Sequence, residues 1–221
     1  MFMSSKQYDY VFWDWNGTII DDLDINFGVI NSLLSNRNGS SILISEYRKS
    51  FTFPIKDFYG RVGLPVDVGE YEQLVHDYWS LYKSKTKDIP LMPGVKDVLS
   101  GLKKKQIKQY ILSASDKAMV LEQMKMYGIQ DFFEEVIAPQ DGYALGKVEL
   151  AKQWMSNRNI SASNVVMIGD TIHDYETAMA ISIDCALVDK GHQDLKLVKT
   201  DSNIIVYDDI YQLNDNLFDF E

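Results

Sequence analysis

From residue 93 onward the chain alternates short, apolar, β-branched runs with stretches of helical periodicity. This alternation constrains the fold more tightly than any other feature of the sequence. Residues 95–105 have helical spacing and residues 109–112 read as a strand. Residues 117–127 read as a helix closed by Gly128, a residue type suited to the left-handed position just past a helix. A strand at 136–138, a helix at 148–157, a strand at 165–168, a helix at 175–181 and strands at 186–188 and 204–207 complete the series. Strands separated by helices pair in parallel and carry the helices on both faces of the sheet. The expected fold class is therefore α/β, with a Rossmann-like three-layer core built on a mainly parallel sheet.

Residues 8–13, an aromatic and β-branched run, supply one more strand, but the segment after them breaks the alternation. Residues 19–88 hold no convincing strand. Leu23, Phe27, Ile30, Leu33 and Leu34 recur at helical spacing until Asn38-Gly39 closes the segment. Ser45 reads as the N-cap of a short helix through Phe51. Pro54 starts another through Tyr59, residues 60–69 read as a loop, and residues 70–85 are helical again. The chain is thus expected to be one α/β core, residues 1–18 and 89–221, interrupted by an inserted all-helical cap, residues 19–88.

Charge and composition narrow the partners. The chain has 22 basic and 32 acidic side chains, a net charge of −10 and a pI near 4.8. A nucleic-acid footprint is usually a basic stripe, so nucleic acid is not the expected partner. A small phosphorylated metabolite needs only a locally positive pocket and stays open. No run reaches the roughly 18 apolar residues of a membrane helix, and the polar residues 1–10 do not resemble a secretory signal. No membrane partner is expected. The single cysteine, Cys185, excludes an intramolecular disulfide. It lies in the apolar run Cys185-Ala186-Leu187-Val188 and is expected to be structural rather than a catalytic thiol. A reducing cytoplasm is the expected location.

Ligands of such sheets bind beyond the carboxyl ends of the strands. Four polar clusters fall there. Asp14 follows the first strand, Ser113 follows strand 109–112, and Lys147 opens a helix. Asp170 and Asp174 follow strand 165–168 in Gly169-Asp170-Thr171-Ile172-His173-Asp174. Taken singly each has a plainer reading: Asn16-Gly17 as a turn, Asp170 as a helix cap, Lys147 as a solvated lysine, Ser113 as a turn residue. Together, three carboxylates, a lysine and a hydroxyl on one sheet edge suit a hard metal ion and a phosphoryl group.

These residues resemble the motifs of the haloacid dehalogenase superfamily, from the branch with a helical cap after the first strand. The resemblance rests on Asp14-Trp15-Asn16-Gly17-Thr18, Tyr110-Ile111-Leu112-Ser113, Gly146-Lys147 and the run from Gly169 to Asp174. Leu91-Met92-Pro93-Gly94-Val95 is similar to the family's return from cap to core. Within the superfamily the likeness is to phosphoglycolate-phosphatase-like hydrolases, in particular a subgroup with an Asp-Trp-Asn-Gly-Thr first motif. The resemblance implies an Mg²⁺-dependent phosphatase that works through an aspartyl-phosphate on Asp14. It implies metal ligation by Asp14, the main-chain carbonyl of Asn16 and Asp170, with Asp174 holding a water or orienting Lys147. It further implies that Lys147, Ser113 and the backbone near Ala114 bind the phosphoryl group.

Asn16 departs from that pattern. In most family phosphatases this position is an aspartate that protonates the leaving oxygen, a role an amide cannot fill near pH 7. General acid–base catalysis contributes roughly 10²–10⁴-fold. Three outcomes are open: slow turnover favouring good leaving groups, another group in the role (Asp22, His173 or His76), or a phosphometabolite-binding or regulatory protein with little turnover. Asn-Gly is also prone to deamidation, which would convert Asn16 in part to aspartate. A phosphonate hydrolase would need a cap lysine, from Lys49, Lys56, Lys83, Lys85 or Lys87. In the cap, Arg48, Lys49 and Arg61 are candidates for a second anionic group of the substrate. Phe51, Phe53 and Tyr59 are candidates for pocket walls or cap core. His192 has no role legible in the sequence, and the acidic tail 208–221 reads as solvated surface.

Overall fold

The computed structural model describes residues 7–140, 146–197 and 204–218. Six strands form one parallel sheet: β1 (Tyr10–Trp13), β2 (Lys108–Leu112), β3 (Glu135–Ile137), β4 (Val165–Gly169), β5 (Asp184–Val188) and β6 (Ile205–Tyr207). Their order is β3-β2-β1-β4-β5-β6, and every pairing is parallel. The chain leaves β1 toward β2 on one side, while β4 pairs on the other. The carboxyl ends of β1 and β4 therefore flank the point where strand order reverses, which is where ligands enter such sheets.

Period-2 alternation builds the layers. Val11, Trp13, Ile111, Val136, Val166 and Ile168 face one side, with α5 (Val95–Lys104), α6 (Lys117–Tyr127) and α9 (Ile210–Leu217). Phe12, Tyr110, Leu112, Ile137, Val165 and Met167 face the other, with α7 (Lys147–Ser156) and α8 (Ile172–Ala180). Cys185 is buried in the second layer, and burial raises its thiol far above the ordinary range, so it packs as an apolar residue. Gly128 takes φ +64° just after α6, as its position demands. Buried indoles need partners: Trp13 Nε1 donates to Gln109 Oε1 at 3.2 Å and Trp15 Nε1 to Gln123 Oε1 at 2.7 Å.

Between β1 and α5 lie α1 (Leu23–Ser35), α2 (Ile44–Ser50), α3 (Ile55–Arg61) and α4 (Val68–Lys85), with no named strand among the described residues. Leu43 rather than Ser45 is the N-cap of α2, and the loop expected at 60–69 shrinks because α3 runs to Arg61 and α4 starts at Val68. The chain segments entering and leaving this helical stretch are tied together. Asp21 N–H donates to the Pro90 carbonyl and Met92 N–H to that of Ile19, both at 2.9 Å. Apolar contact is continuous from Trp13 through Trp15, Ile19 and Ile20 to Val29, Ile30 and Leu33.

The acidic tail is not simply solvated surface. Asp209 caps α9, its Oδ1 accepting from Gln212 N–H at 2.8 Å. Ile210, Leu213 and Phe218 are buried, and α9 packs on α5. Burying such a side chain contributes roughly 1.5–3 kcal/mol, which outweighs the modest repulsion among exposed acids. Residues 219–221 of the tail lie outside the described residues. Among the described residues no helix is long and apolar enough to cross a membrane.

Candidate active site

Asp14 stands one residue past β1, its N–H donating to the Ile168 carbonyl at 2.8 Å. Asp170 follows β4 directly, and Asp174 is in the first turn of α8. Oxygen atoms of these three carboxylates lie within 4.8 Å of one another. Lys147, the first residue of α7, is buried and joins two of them: its Nζ donates to Asp14 Oδ1 at 2.7 Å and to Asp174 Oδ1 at 2.5 Å. Burial alone would depress the lysine, but Asp14 and Asp174 outweigh it and hold Lys147 above its ordinary value. Asp174 Oδ2 accepts from the Asp170 and Thr171 N–H groups and from Thr171 Oγ1. Its carboxylate thus caps α8 and anchors Lys147 at once; the cap expected of Asp170 belongs to Thr171 and Asp174. Ser113 and Ala114 line the same cavity.

The aspartates fit a hard divalent cation. Their donor set is all oxygen, as Mg²⁺ prefers, and the site is short of positive charge. Burial pushes Asp14 up to about 6, although Lys147 pulls it down. Burial also raises Asp170 to about 8; His192 opposes this and the neighbouring Asp14 and Asp174 add to it. Against ordinary carboxylates near 4, the folded, cation-free protein keeps protons that the unfolded chain releases. That stabilisation is complete below about pH 4 and is lost as pH rises through about 6 and about 8. A cation held there would replace those protons, so added Mg²⁺ is expected to raise Tm little at pH 5 and substantially more at pH 8. Scanning calorimetry at the two pH values checks this; equal shifts would contradict cation binding at Asp170.

Two glycines make room for Asp170. A Cβ on Gly17, which has φ +71°, would sit 2.4 Å from Asp170 Oδ2, and one on Gly191 would sit 2.0 Å from it. The glycine of Asn16-Gly17 is therefore required both by its conformation and by this close approach.

A second buried cluster, lining the same cavity, is centred on Asp22. It accepts from Asn16 Nδ2 at 2.6 Å, Gly17 N–H at 2.9 Å, Asn26 Nδ2 at 2.6 Å, Tyr82 O–H at 3.0 Å and His192 Nε2 at 3.0 Å. Burial would raise Asp22, but His192 and these donors outweigh it and lower it. Burial would lower His192, but Asp22 wins and lifts it to about 9. They form an ion pair at neutral pH. His192 also donates its main-chain N–H to Asp170 Oδ2 at 2.6 Å, and its Nδ1 meets the Tyr47 hydroxyl at 3.0 Å.

Asn16 is fully engaged. Its Nδ2 donates to Asp22 and to the Tyr82 hydroxyl (3.1 Å), and its Oδ1 accepts from Ser115 Oγ at 2.6 Å. Gly17 N–H, the group that must attack the Asn16 side chain in deamidation, is held by Asp22.

The remaining expected residues are dispersed. Arg48 does not line the cavity. Its guanidinium binds Asp189 Oδ1 at 2.7 Å and the Gly191 and Gln193 carbonyls, so it clamps the loop carrying His192. Arg61 is exposed at the end of α3 and also does not line it. Lys83 and Lys87 border the cavity but are exposed, unlike a desolvated Schiff-base lysine. His76 is exposed beside Asp77. His173 borders the cavity, stacked on Phe53 at 4.4 Å between centroids; burial, then Lys147, lowers its pKa. Phe51, Phe53 and Tyr59 all line the cavity, while Phe51 and Tyr59 are also buried.

His192, Ser115, Tyr82, Asn26, Tyr47 and Thr171 are members of the site whose roles sequence reasoning missed. His192 comes four residues after β5, so the strand-end rule that found Asp14 and Asp170 applies to it too.

Comparison with known proteins agrees with this geometry. The profile of the haloacid dehalogenase-like hydrolase family matches residues 11–188. The chain belongs to that family. Its fold is similar to that of the Mycobacterium tuberculosis Protein Tyrosine Kinase A, with TM-score 0.80 and 18% identity over 96% of this chain and 99% of that one. A predicted phosphatase from Clostridium acetobutylicum aligns with TM-score 0.76 and 20% identity over 90% and 94%. A predicted phosphoglycolate phosphatase from Haemophilus somnus aligns with TM-score 0.72 and 16% identity over 94% and 96%. No curated protein matches the chain. As a member of this family the protein is a hydrolase with a Rossmann-like core.

Proposed function

We propose that this haloacid dehalogenase-like hydrolase is an Mg²⁺-dependent phosphatase of a small phosphorylated metabolite, with Asp14 as nucleophile. The observation that carries this reading is the Asp14–Lys147–Asp174 bridge beside Asp170, at the strand-order reversal. Dehalogenation at carbon calls for no such cation-hungry carboxylate cluster. Asp14, Asp170 and the Asn16 carbonyl would hold Mg²⁺, with Asp174 beside them. Once bound, the cation would supply charge neutralisation for the phosphoryl oxygens and invert the sign of the site.

The chain's own groups do the rest. One carboxylate oxygen of Asp14 would attack phosphorus while Lys147, fixed by Asp174, offsets the charge on Asp14 and the phosphoryl group. Ser113 and the backbone around Ala114 would donate to phosphoryl oxygens. Water would then release phosphate from Asp14. The helical segment 19–88 would act as a cap over the site, excluding bulk water. Its connecting segments, paired at Ile19–Asp21 and Pro90–Met92, are where the cap would hinge.

One observation favours a second reading, a phosphometabolite-binding protein with little turnover: the Asn16 amide is bonded at both ends and has no proton to give. A phosphatase assay across phosphometabolites, with Mg²⁺ and with EDTA, separates the two. Turnover with Mg²⁺ and none with EDTA is expected. Binding without turnover of any ester would select the second reading.

A further inference from the structure

The cavity that opens at Asp14 is far larger than a phosphoryl group requires. It measures about 1710 Å³, whereas about 300–1,000 Å³ already encloses a drug-sized ligand. Along α6 its lining runs from Ala118 to Met126, about 12 Å of helix at 1.5 Å per residue. Its walls between α4 and α6 carry Tyr71, Tyr78, Trp79 and Tyr82 on one side and the thioethers of Met119 and Met126 on the other, among polar neighbours that include Glu72, Lys83, Glu122 and Gln123. Such faces hold planar rings by stacked, edge-to-face and sulfur contacts.

The second observation is chemical. Asn16, two residues past Asp14 in the first motif, is an amide whose nitrogen is committed to Asp22 and Tyr82 and whose oxygen takes a bond from Ser115. A leaving oxygen receives no proton from it. A phenol ionises near pH 10, whereas an alkanol resembles water, at about 15.7. Only the first kind of leaving group departs readily as an anion.

We infer that the substrate is an aryl phosphate monoester whose ring sits in the cavity between α4 and α6. The inference rests on the phosphatase reading above and deepens it. As the Asp14 O–P bond forms, the P–O(aryl) bond breaks, and the phenolate leaves with the electron pair and takes a proton from solvent. Water then attacks phosphorus, the Asp14 O–P bond breaks, and the net products are a phenol and inorganic phosphate.

The test has a kinetic and a binding arm. With Mg²⁺, kcat/KM for phenyl phosphate is expected to exceed that for cyclohexylmethyl phosphate, an apolar alkyl ester of similar bulk, by at least about 10²-fold. In calorimetry, phenylphosphonate is expected to bind at least about tenfold tighter than methylphosphonate, and Trp79→Ala or Met119→Ala to erode that difference. Equal rates on the two esters leave the phosphatase reading standing and overturn the aryl assignment, as does equal affinity for the two phosphonates. Hydrolysis of neither ester with Mg²⁺, nor of any other in the phosphometabolite panel, overturns both.

Discussion

Replacing Asp14 by asparagine is expected to lower Mg²⁺-dependent turnover by at least ~10⁴-fold on every ester, because losing a nucleophile removes the chemical step rather than tuning it. The substitution keeps side-chain volume, and an amide oxygen still accepts from Lys147 Nζ, so the fold should survive. Burial raises Asp14 and the variant removes that buried acid, so Tm is expected to hold or rise at pH 8. Steady-state assays and a melting curve check both statements. Retained turnover in a folded Asp14→Asn protein would remove Asp14 from the role.

The second large effect concerns Asn16 and Asp22 as a pair. Asn16→Asp alone would place a carboxylate oxygen 2.6 Å from Asp22 Oδ2, where an amide now donates. Two buried carboxylates at that distance must share a proton, so the single variant is expected to melt below the parent and to gain little rate. The exchange variant Asn16→Asp with Asp22→Asn restores one amide and one carboxylate across the contact, with the acid now at position 16; it also takes the counter-charge from His192 and the acceptor from Asn26 and Tyr82, so it too is expected to melt below the parent. It is expected to raise kcat on alkyl phosphates by roughly 10²–10⁴-fold and on aryl phosphates far less, flattening the dependence of rate on leaving-group pKa. A folded exchange variant no faster than the parent on alkyl phosphates would show that the missing proton donor is not what limits this site.

Much of the fold follows from local pattern. β1 and β4 are apolar runs, and β2 and β5 become so past their polar first residues; parallel strands buried on both faces in this way advertise themselves. α6 ends where Gly128 says it must. Where local pattern misleads, tertiary packing decides. The tail 208–218 carries enough acid to look solvated, yet Ile210, Leu213 and Phe218 reach α5 and fix α9. α2 begins at Ile44 because Leu43 N–H is taken by Glu46 Oε2 at 2.7 Å, whatever the capping propensity of Ser45.

The site divides in the same way. Asp14, Ser113, Lys147, Asp170 and Asp174 all sit at strand ends or helix starts, which is a positional property of the sequence. The Asp22 cluster is so only in part: His192 follows the end of β5, but His192 and Tyr82 meet Asp22 across 170 and 60 residues, and no spacing rule connects them to it. Arg48 looks like a substrate clamp because its charge is visible and its partner Asp189 is not, lying 141 residues away. Long-range pairing of buried polar groups is the part of the structure that a linear pattern leaves out.

Asp14 is expected to carry the phosphoryl group in mid-reaction. Acid quenching during turnover of phenyl phosphate with Mg²⁺, followed by peptide mass spectrometry, tests this directly. A phosphoryl group on the peptide containing Asp14, absent with EDTA and absent in Asp14→Asn, is the expected result. Sustained turnover with the label on another peptide, or on none under single-turnover quench, would contradict it.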